Sequence, residues 1–427
     1  MKAALYTLGC KTNIYDTQAM EEALLSAGYE IVSFHDKADV YIINTCAVTN
    51  VSESKSRQMI HRARKTNPDA VIIAAGCYSQ IAPQRLLGFE EVDGIIGIAD
   101  REKLPLLIEA SKAKKTDFVT PHDKTEIYEP LHIRAYSEKT RAFLKIQEGC
   151  DNYCAYCIIP YARGKARSRN IEEILAEAAV LSAAGHGEIV LTGTHIASYG
   201  KEWQNIGLID VIESLQNIQS VARIRLGSLE PKIFAPSFVS RLQNCCKVCP
   251  SFHLSLQSGS ENTLAAMGRR YSAREYAQIA EDICTNFPTC SLTTDVIVGF
   301  PGESEEDHKE SLRFCRNIGF MKIHVFPYSA KKGTKAATMA GQVDKQTKQR
   351  RSEEFLRLSS ELQQSFYQRF IGKEARVLFE QRKDDCEEGY SENYITVKVR
   401  TDVPLCGQIK KVRLLKSDND AMQAEII

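Results

Sequence analysis

Net charge and long apolar runs are both scarce in this chain of 427 residues. Lys and Arg total 55 against 54 for Asp and Glu, leaving a formal charge of +1. That balance excludes nucleic-acid binding through overall basicity and leaves only a local basic patch for such a role. No uncharged apolar stretch reaches the roughly 18 residues that a transmembrane helix needs. The apolar start, residues 3–9 ahead of Cys10, is short for a lipoprotein signal and contains Tyr6 and Thr7, so it reads as a first strand. No internal repeat is evident beyond alternating strands and helices. The expectation is a cytoplasmic protein of two or three domains with reduced thiols. Cysteine is what the chain has in quantity, with 14 residues. In a reducing compartment, clustered thiols bind metal or do chemistry more often than they form bridges.

Hydrophobic patterning predicts an α/β chain in three parts. Strands are expected at 3–8, 39–45, 70–75 and 94–98, with helices at 16–27, 52–65 and 80–87 between them. Continuous apolar strands separated by helices indicate a parallel sheet covered on both faces. Periodicity fades between Ser111 and Thr140, which reads as a linker. A second alternating series follows, with strands at 143–148, 188–192, 223–226, 252–256, 292–298 and 322–326. Helices are expected at 171–184 and 275–286. Six such units suggest a partial (β/α)6 barrel with its site at the C-terminal strand ends. A basic stretch from Lys331 to Arg351 leads into a helix whose apolar face is Phe355, Leu358, Leu362, Phe366 and Phe370. The last segment alternates at 375–379, 394–399 and 409–415, which indicates a small all-β, OB-like module.

The strongest local signal is Cys150-Asp-Asn-Tyr-Cys154-Ala-Tyr-Cys157, just after a strand. A [4Fe–4S] cube has four irons and a structural cube normally takes four cysteines. Three thiols leave one iron open for a small molecule, whereas a fourth thiolate from elsewhere, or zinc, would make a structural centre. A second constellation emerges once strands are placed: Cys10, Cys46 and Cys77 follow the first three strands. In an open parallel sheet, ligands bind beyond the carboxyl ends of strands, so these three can converge. The alternative is three ordinary buried cysteines. Cys246 and Cys249 have zinc-like spacing but no second pair. Arg163, Lys165, Arg167 and Arg169 place four positive charges beside the first cysteine loop, which reads as a contact for RNA phosphates.

The C-x3-C-x2-C loop resembles the signature of radical S-adenosylmethionine (SAM) enzymes. With Cys10, Cys46, Cys77 and the segments Thr7–Asn13, Asn44-Thr45-Cys46, Ala75-Gly76-Cys77 and Gln257-Ser258-Gly259, the whole chain resembles the methylthiotransferases. The resemblance implies an N-terminal cluster domain (1–112), a linker (113–139), a radical SAM domain (140–371) and a TRAM domain that binds RNA (372–427). It implies two [4Fe–4S] clusters. The cluster on Cys150, Cys154 and Cys157 would bind SAM and, given an electron donor, cleave it to a 5′-deoxyadenosyl radical that takes hydrogen from an aromatic C–H of adenosine. The cluster on Cys10, Cys46 and Cys77 would hold the sulfur that a first SAM methylates, while a second SAM supplies the radical. For SAM itself the resemblance implies Tyr156 beside the adenine, Gly193 at the methionyl amine, Ser228 and Glu230 near the ribose, and Gln257 and Gly299 as further contacts. Thr192-Gly193-Thr194 stands where the superfamily usually has Gly-Gly-Glu.

Members of that family modify an adenosine in the tRNA anticodon stem-loop or an aspartate of a ribosomal protein. Three details resemble the branch acting on N6-threonylcarbamoyladenosine: Gly9-Cys10-Lys11-Thr12-Asn13, Arg167-Ser168-Arg169 and Gly389-Tyr390-Ser391-Glu392-Asn393-Tyr394. The isopentenyladenosine branch is the alternative, followed by the ribosomal-protein branch and by a non-enzymatic RNA-binding or iron-storage protein. No membrane association is expected, and no sequence feature bears on oligomeric state.

Overall fold

The computed structural model describes residues 1–122, 127–136, 140–203, 205–418 and 420–427. Buried β-branched runs build the N-terminal sheet from β1 (Lys2–Thr7), β2 (Glu30–Ile31), β3 (Val40–Thr45), β4 (Val71–Gly76), β5 (Gly94–Ile96) and β6 (Thr116–Phe118). All its pairings are parallel, in the order β2-β1-β3-β4-β5-β6. The order reverses between β1 and β3, and such a switch point opens a crevice at the carboxyl ends of the strands. β6 is a departure from expectation, because it lies in the stretch read as linker. Residues 123–126 and 137–139 of that stretch lie outside the described residues.

Helix α1 (Lys11–Ser26) begins five residues earlier than its periodicity suggests, directly after Cys10. It gives Tyr15 and Ala19 to the large core of the second domain, and Met20 and Leu24 to the N-terminal sheet. One helix therefore ties the two parallel-sheet units together. The helix expected over 80–87 is instead two short ones, Cys77–Ile81 and Pro83–Leu87, because Pro83 cannot donate the hydrogen bond that would continue the first.

The second unit contains β7 (Arg141–Glu148), β8 (Arg167–Ser168), β9 (Glu188–Gly193), β10 (Arg223–Leu226), β11 (Ser228–Leu229), β12 (Ser251–Leu254), β13 (Ser291–Val298) and β14 (Lys322–Pro327). They form two four-stranded sheets, β10-β9-β7-β8 and β11-β12-β13-β14. Only Gly227 separates β10 from β11, so the strands follow one another round a curled wall, as in a parallel barrel cut open. Helix Lys345–Gln368, capped by Asp344, lays Phe355 and Leu358 into the core of this wall and Phe366 into the last domain. Five strands close that domain: β15 (Glu374–Lys383), β16 (Cys386–Ser391), β17 (Thr396–Arg400), β18 (Ile409–Asp418) and β19 (Ala421–Ile426), in the order β15-β16-β17-β19-β18. Among the described residues no helix is long and apolar enough to cross a membrane.

Candidate active site

Cys10, Cys46 and Cys77 stand immediately beyond β1, β3 and β4, at the switch point. They are close enough for each to alter the ionisation of its neighbours. Gly9 (φ +105) and Gly76 (φ +90) turn the chain into two of these cysteines in a left-handed conformation that other residues resist. A Cβ on Gly76 would also lie 2.2 Å from Asn44 Oδ1. The second trio follows β7. Gly149 (φ +75) delivers Cys150, whose N–H donates to Gly164 O at 3.0 Å, and Cys157 N–H donates to Cys154 O at 2.9 Å. Cys150, Cys154 and Cys157 are half-buried and also sense one another electrostatically.

Burial pushes the Cys77 and Cys157 thiols up to about 12. Arg163 opposes the rise at Cys77 and Arg269 opposes it at Cys157. Such thiols ionise when a cation binds them, as the chemistry of a metal centre requires. Among the described residues no three His, Cys, Asp or Glu side chains close on a single ion. Thiols that approach one another without closing on one point suit a cluster whose ligands sit on separate irons. The surroundings fit a guest as well. Asn44 Oδ1, the Tyr78 and Ser79 hydroxyls near the first trio, and the Thr194 hydroxyl at the end of β9 are buried without a hydrogen-bond partner.

The SAM candidates ring the second trio. Gly193 ends β9, where a Cβ would lie 2.7 Å from Gln147 O. Ser228 is exposed on β11. Glu230 caps the turn after β11 and is held by Arg269 at 3.1 Å, with His195 at 3.5 Å. Gln257 is buried at φ +72, an uncommon conformation for a residue with a side chain and one that clusters at ligand sites. Gly299 follows β13 at φ +70, and its N–H donates to Glu303, which Arg351 holds at 2.8 Å. Tyr156 is half-buried between Cys154 and Cys157. Arg269 was not anticipated. Gly268 ends helix Glu261–Met267 in a left-handed turn and throws Arg269 toward both Cys154 Sγ (3.5 Å) and Glu230.

The basic loop is a correction. Arg163, Arg167 and Arg169 are buried and bonded within the protein, Arg167 through one guanidinium nitrogen only, so they do not present charge to RNA phosphates. Arg163 bonds Glu148, Asp16 (3.0 Å) and Asn13 Oδ1 (2.6 Å), and it lies near enough to Cys77 to oppose the rise of that thiol. Arg167 is folded back on the carbonyls of Arg163 and Lys165. Arg169 reaches Glu177 at 2.8 Å and the Tyr15 hydroxyl at 3.2 Å. Only Lys165 of the four is exposed. The acids that neutralise the arginines come from α1, β7 and helix Ile171–Ala183, outside the loop itself. Around Arg163, Asp16 also takes Arg101 (3.0 Å) and Lys145 (2.6 Å), while Glu148 takes Lys145 (3.0 Å). Burial would raise both carboxyls, yet these cations hold them below the ordinary range. Arg163 thus lies between the two trios, within electrostatic range of Cys77 on one side and bonded to Glu148, two residues before Cys150, on the other. In the later basic stretch, Lys331 is likewise buried, paired with Glu53 at 2.6 Å.

A model described as "Uncharacterized protein family UPF0004" matches residues 2–97, and one for the radical SAM superfamily matches residues 144–315. The threonylcarbamoyladenosine tRNA methylthiotransferase MtaB of Bacillus subtilis (strain 168) is 38% identical over 97% of this chain and 94% of its own length. The tRNA-2-methylthio-N(6)-dimethylallyladenosine synthase of Natranaerobius thermophilus is 35% identical over 98% of this chain and 95% of its own. Among solved structures, the radical SAM methyltransferase TsrM of Kitasatospora setae shares the fold over 79% of this chain and 77% of that one, with a TM-score of 0.59 at 14% identity. Identity of this order along nearly the whole of both sequences, on a fold that gathers the thiols at its strand ends, has one reading: the chain belongs to the radical SAM tRNA methylthiotransferase family.

Proposed function

We propose that this protein acts in the cytoplasm on C2 of N6-threonylcarbamoyladenosine beside the tRNA anticodon, with one [4Fe–4S] cluster on each thiol trio and two SAM per methylthio group. Bound clusters and SAM supply a radical able to break an aromatic C–H bond, together with the sulfur and methyl that replace the hydrogen. The chain's own residues hold and separate these groups. Three thiols at Cys150, Cys154 and Cys157 leave an open position for SAM, and Glu230, fixed by Arg269, is available to a ribose hydroxyl. Arg163, buried and bonded to Glu148, Asp16 and Asn13, would brace the element that carries the second trio against α1.

The observation that carries this reading is the meeting of Cys10, Cys46 and Cys77 at one switch point, one shared arginine away from the second trio. The name of the Bacillus subtilis relative supports the threonylcarbamoyl substrate. The Natranaerobius thermophilus relative, only slightly less similar, supports the isopentenyl (dimethylallyl) alternative. Nucleoside mass spectrometry of tRNA from cells lacking the gene separates the two. Loss of 2-methylthio-N6-threonylcarbamoyladenosine is expected, and unchanged levels of that nucleoside would sink the substrate reading. After anaerobic reconstitution, replacing Cys10, Cys46 and Cys77 together by Ala should lower iron from about eight to about four atoms per chain.

Gly149→Ala gives a complementary test. A Cβ there would lie 1.8 Å from Lys165 O, on backbone already at φ +75. The loop carrying Cys150 cannot close around that clash, so this variant should also lose about half of its iron, this time from the second trio. Iron content equal to that of the unmodified protein would show that the turn is not needed for the centre.

A further inference from the structure

The floor of the curled wall is built from charge. Arg141, Glu188 and Arg223 begin β7, β9 and β10, and Arg225 lies two residues on. Glu188 is fully buried and takes Arg223 at 2.6 Å, Arg225 at 2.7 Å and Arg141 at 3.9 Å. The C-terminal barrel closes this floor with residues 390–394. Arg223 donates to Tyr390 O, Arg225 to Ser391 O and Glu392 O, and Arg141 to the Tyr394 hydroxyl at 2.9 Å. Tyr394 stacks on Tyr390 with centroids 4.9 Å apart and has the Arg225 guanidinium 4.5 Å from its ring. Its backbone is held at φ +65, and such strain in an aromatic residue persists only where surroundings over-determine it, commonly at ligand sites.

From the opposite end of the sequence, Lys11 comes within electrostatic range of the same place. It is the first residue of α1, next to Cys10, and its ammonium feels the charges of Tyr394, Arg141, Arg225 and Glu188. It also acts on His324 of β14, across the wall. Among the described residues no acceptor is bonded to Lys11. Arg141 and Arg225 spend their donors on carboxylates and carbonyls, and the Tyr394 oxygen already accepts from Arg141. What remains free is the Lys11 ammonium and the Tyr394 O–H. Two of the three short segments that set this sequence apart, 9–13 and 389–394, therefore meet here.

Lys11 is exposed, so its ammonium is open to a ligand, and an ammonium with no protein acceptor beside a cluster of arginines suits an anion. We propose that Lys11 and the Tyr394 hydroxyl, backed by Arg141 and Arg225, form an anion subsite that receives the carboxylate on the N6 substituent of the target adenosine. This rests on the threonylcarbamoyl reading, because an isopentenyl group carries no carboxylate. A site built around that charge rejects a neutral substituent by leaving its own cation unpaired.

The test uses the full-length, reconstituted protein with three synthetic anticodon stem-loops bearing threonylcarbamoyladenosine, its carboxyl methyl ester or isopentenyladenosine. Unmodified protein should bind the acid about tenfold more tightly than the ester in an anisotropy titration, the worth of one charged hydrogen bond. Lys11→Met should abolish that preference, raising KM for the acid about tenfold with little change in kcat, while Lys11→Arg restores it. Equal binding of acid and ester by the unmodified protein overturns the subsite, with no variant needed. Retention of the preference by Lys11→Met, with turnover of the acid substrate intact, also overturns the subsite but leaves the substrate reading standing. Turnover of the isopentenyl RNA alone overturns both.

Discussion

Arg163→Met is expected to destabilise the metal-free chain by about 3–5 kcal/mol, the usual loss when one partner leaves a buried ionic network. Arg163 is 1% exposed, and its guanidinium is shared by Glu148, Asp16 and Asn13. Methionine fills a similar volume but leaves two buried carboxylates with fewer cations. Arg101 at 3.0 Å and Lys145 at 2.6 Å still reach Asp16, which places the effect toward the lower end of that range. Urea titration of the apo-protein measures it. The same variant distinguishes burial from the RNA contact that the spacing of the loop suggests. A phosphate contact would leave the urea midpoint in place and reduce the salt dependence of stem-loop binding by about one unit of slope. The structure requires the opposite: a lowered midpoint and an unchanged slope. The exposed Lys165, replaced by Met, is the matched control for stability.

The fate of these arginines shows where sequence reasoning stops. Apolar β-branched runs located β3, β4, β9 and β13 to within a residue or two, because strands buried on both faces must be written that way. The ends of those strands then bring Cys10, Cys46 and Cys77 together, though no motif joins them. Charge is different. Arg163 and Arg169 look like solvent-facing cations because their acids, Asp16, Glu148 and Glu177, lie on other elements. A signal was present in β7, where Lys145 and Glu148 interrupt an otherwise buried apolar strand and must find partners. The barrel strands β16 and β19 were missed because Cys386-Glu387-Glu388 and Gln423 break the apolar alternation, and pairing with β15 and β18 supplies the order instead. Arg269 and the floor of the wall depend on contacts between distant segments, which no local pattern encodes.

Glu188 carries the second large effect, and it is a function of pH. Burial alone would push its carboxyl up, but Arg225 and Arg223, with Arg141 behind them, hold it down at about 2. A carboxyl depressed in the folded state binds its proton more readily when the chain unfolds. It therefore contributes stability above its ordinary value of 4.5, and that contribution drains away as pH falls through about 2. A shift of this size corresponds to about 3 kcal/mol at neutral pH. Glu188→Gln should lose at least that much at pH 7, since three arginines are left with one carboxylate fewer. The decisive measurement is the difference in urea stability between the two proteins at pH 7, 5, 4 and 3. It should stay constant down to about pH 5 and then shrink, because protonation removes from the parent what the substitution has already removed. A gap independent of pH would mean that Glu188 acts by packing alone. The same carboxylate orients the arginines that grip residues 390–394, so the variant should also loosen the C-terminal barrel from the wall. That loosening would appear as faster proteolysis after helix Lys345–Gln368, with both domain cores still folded.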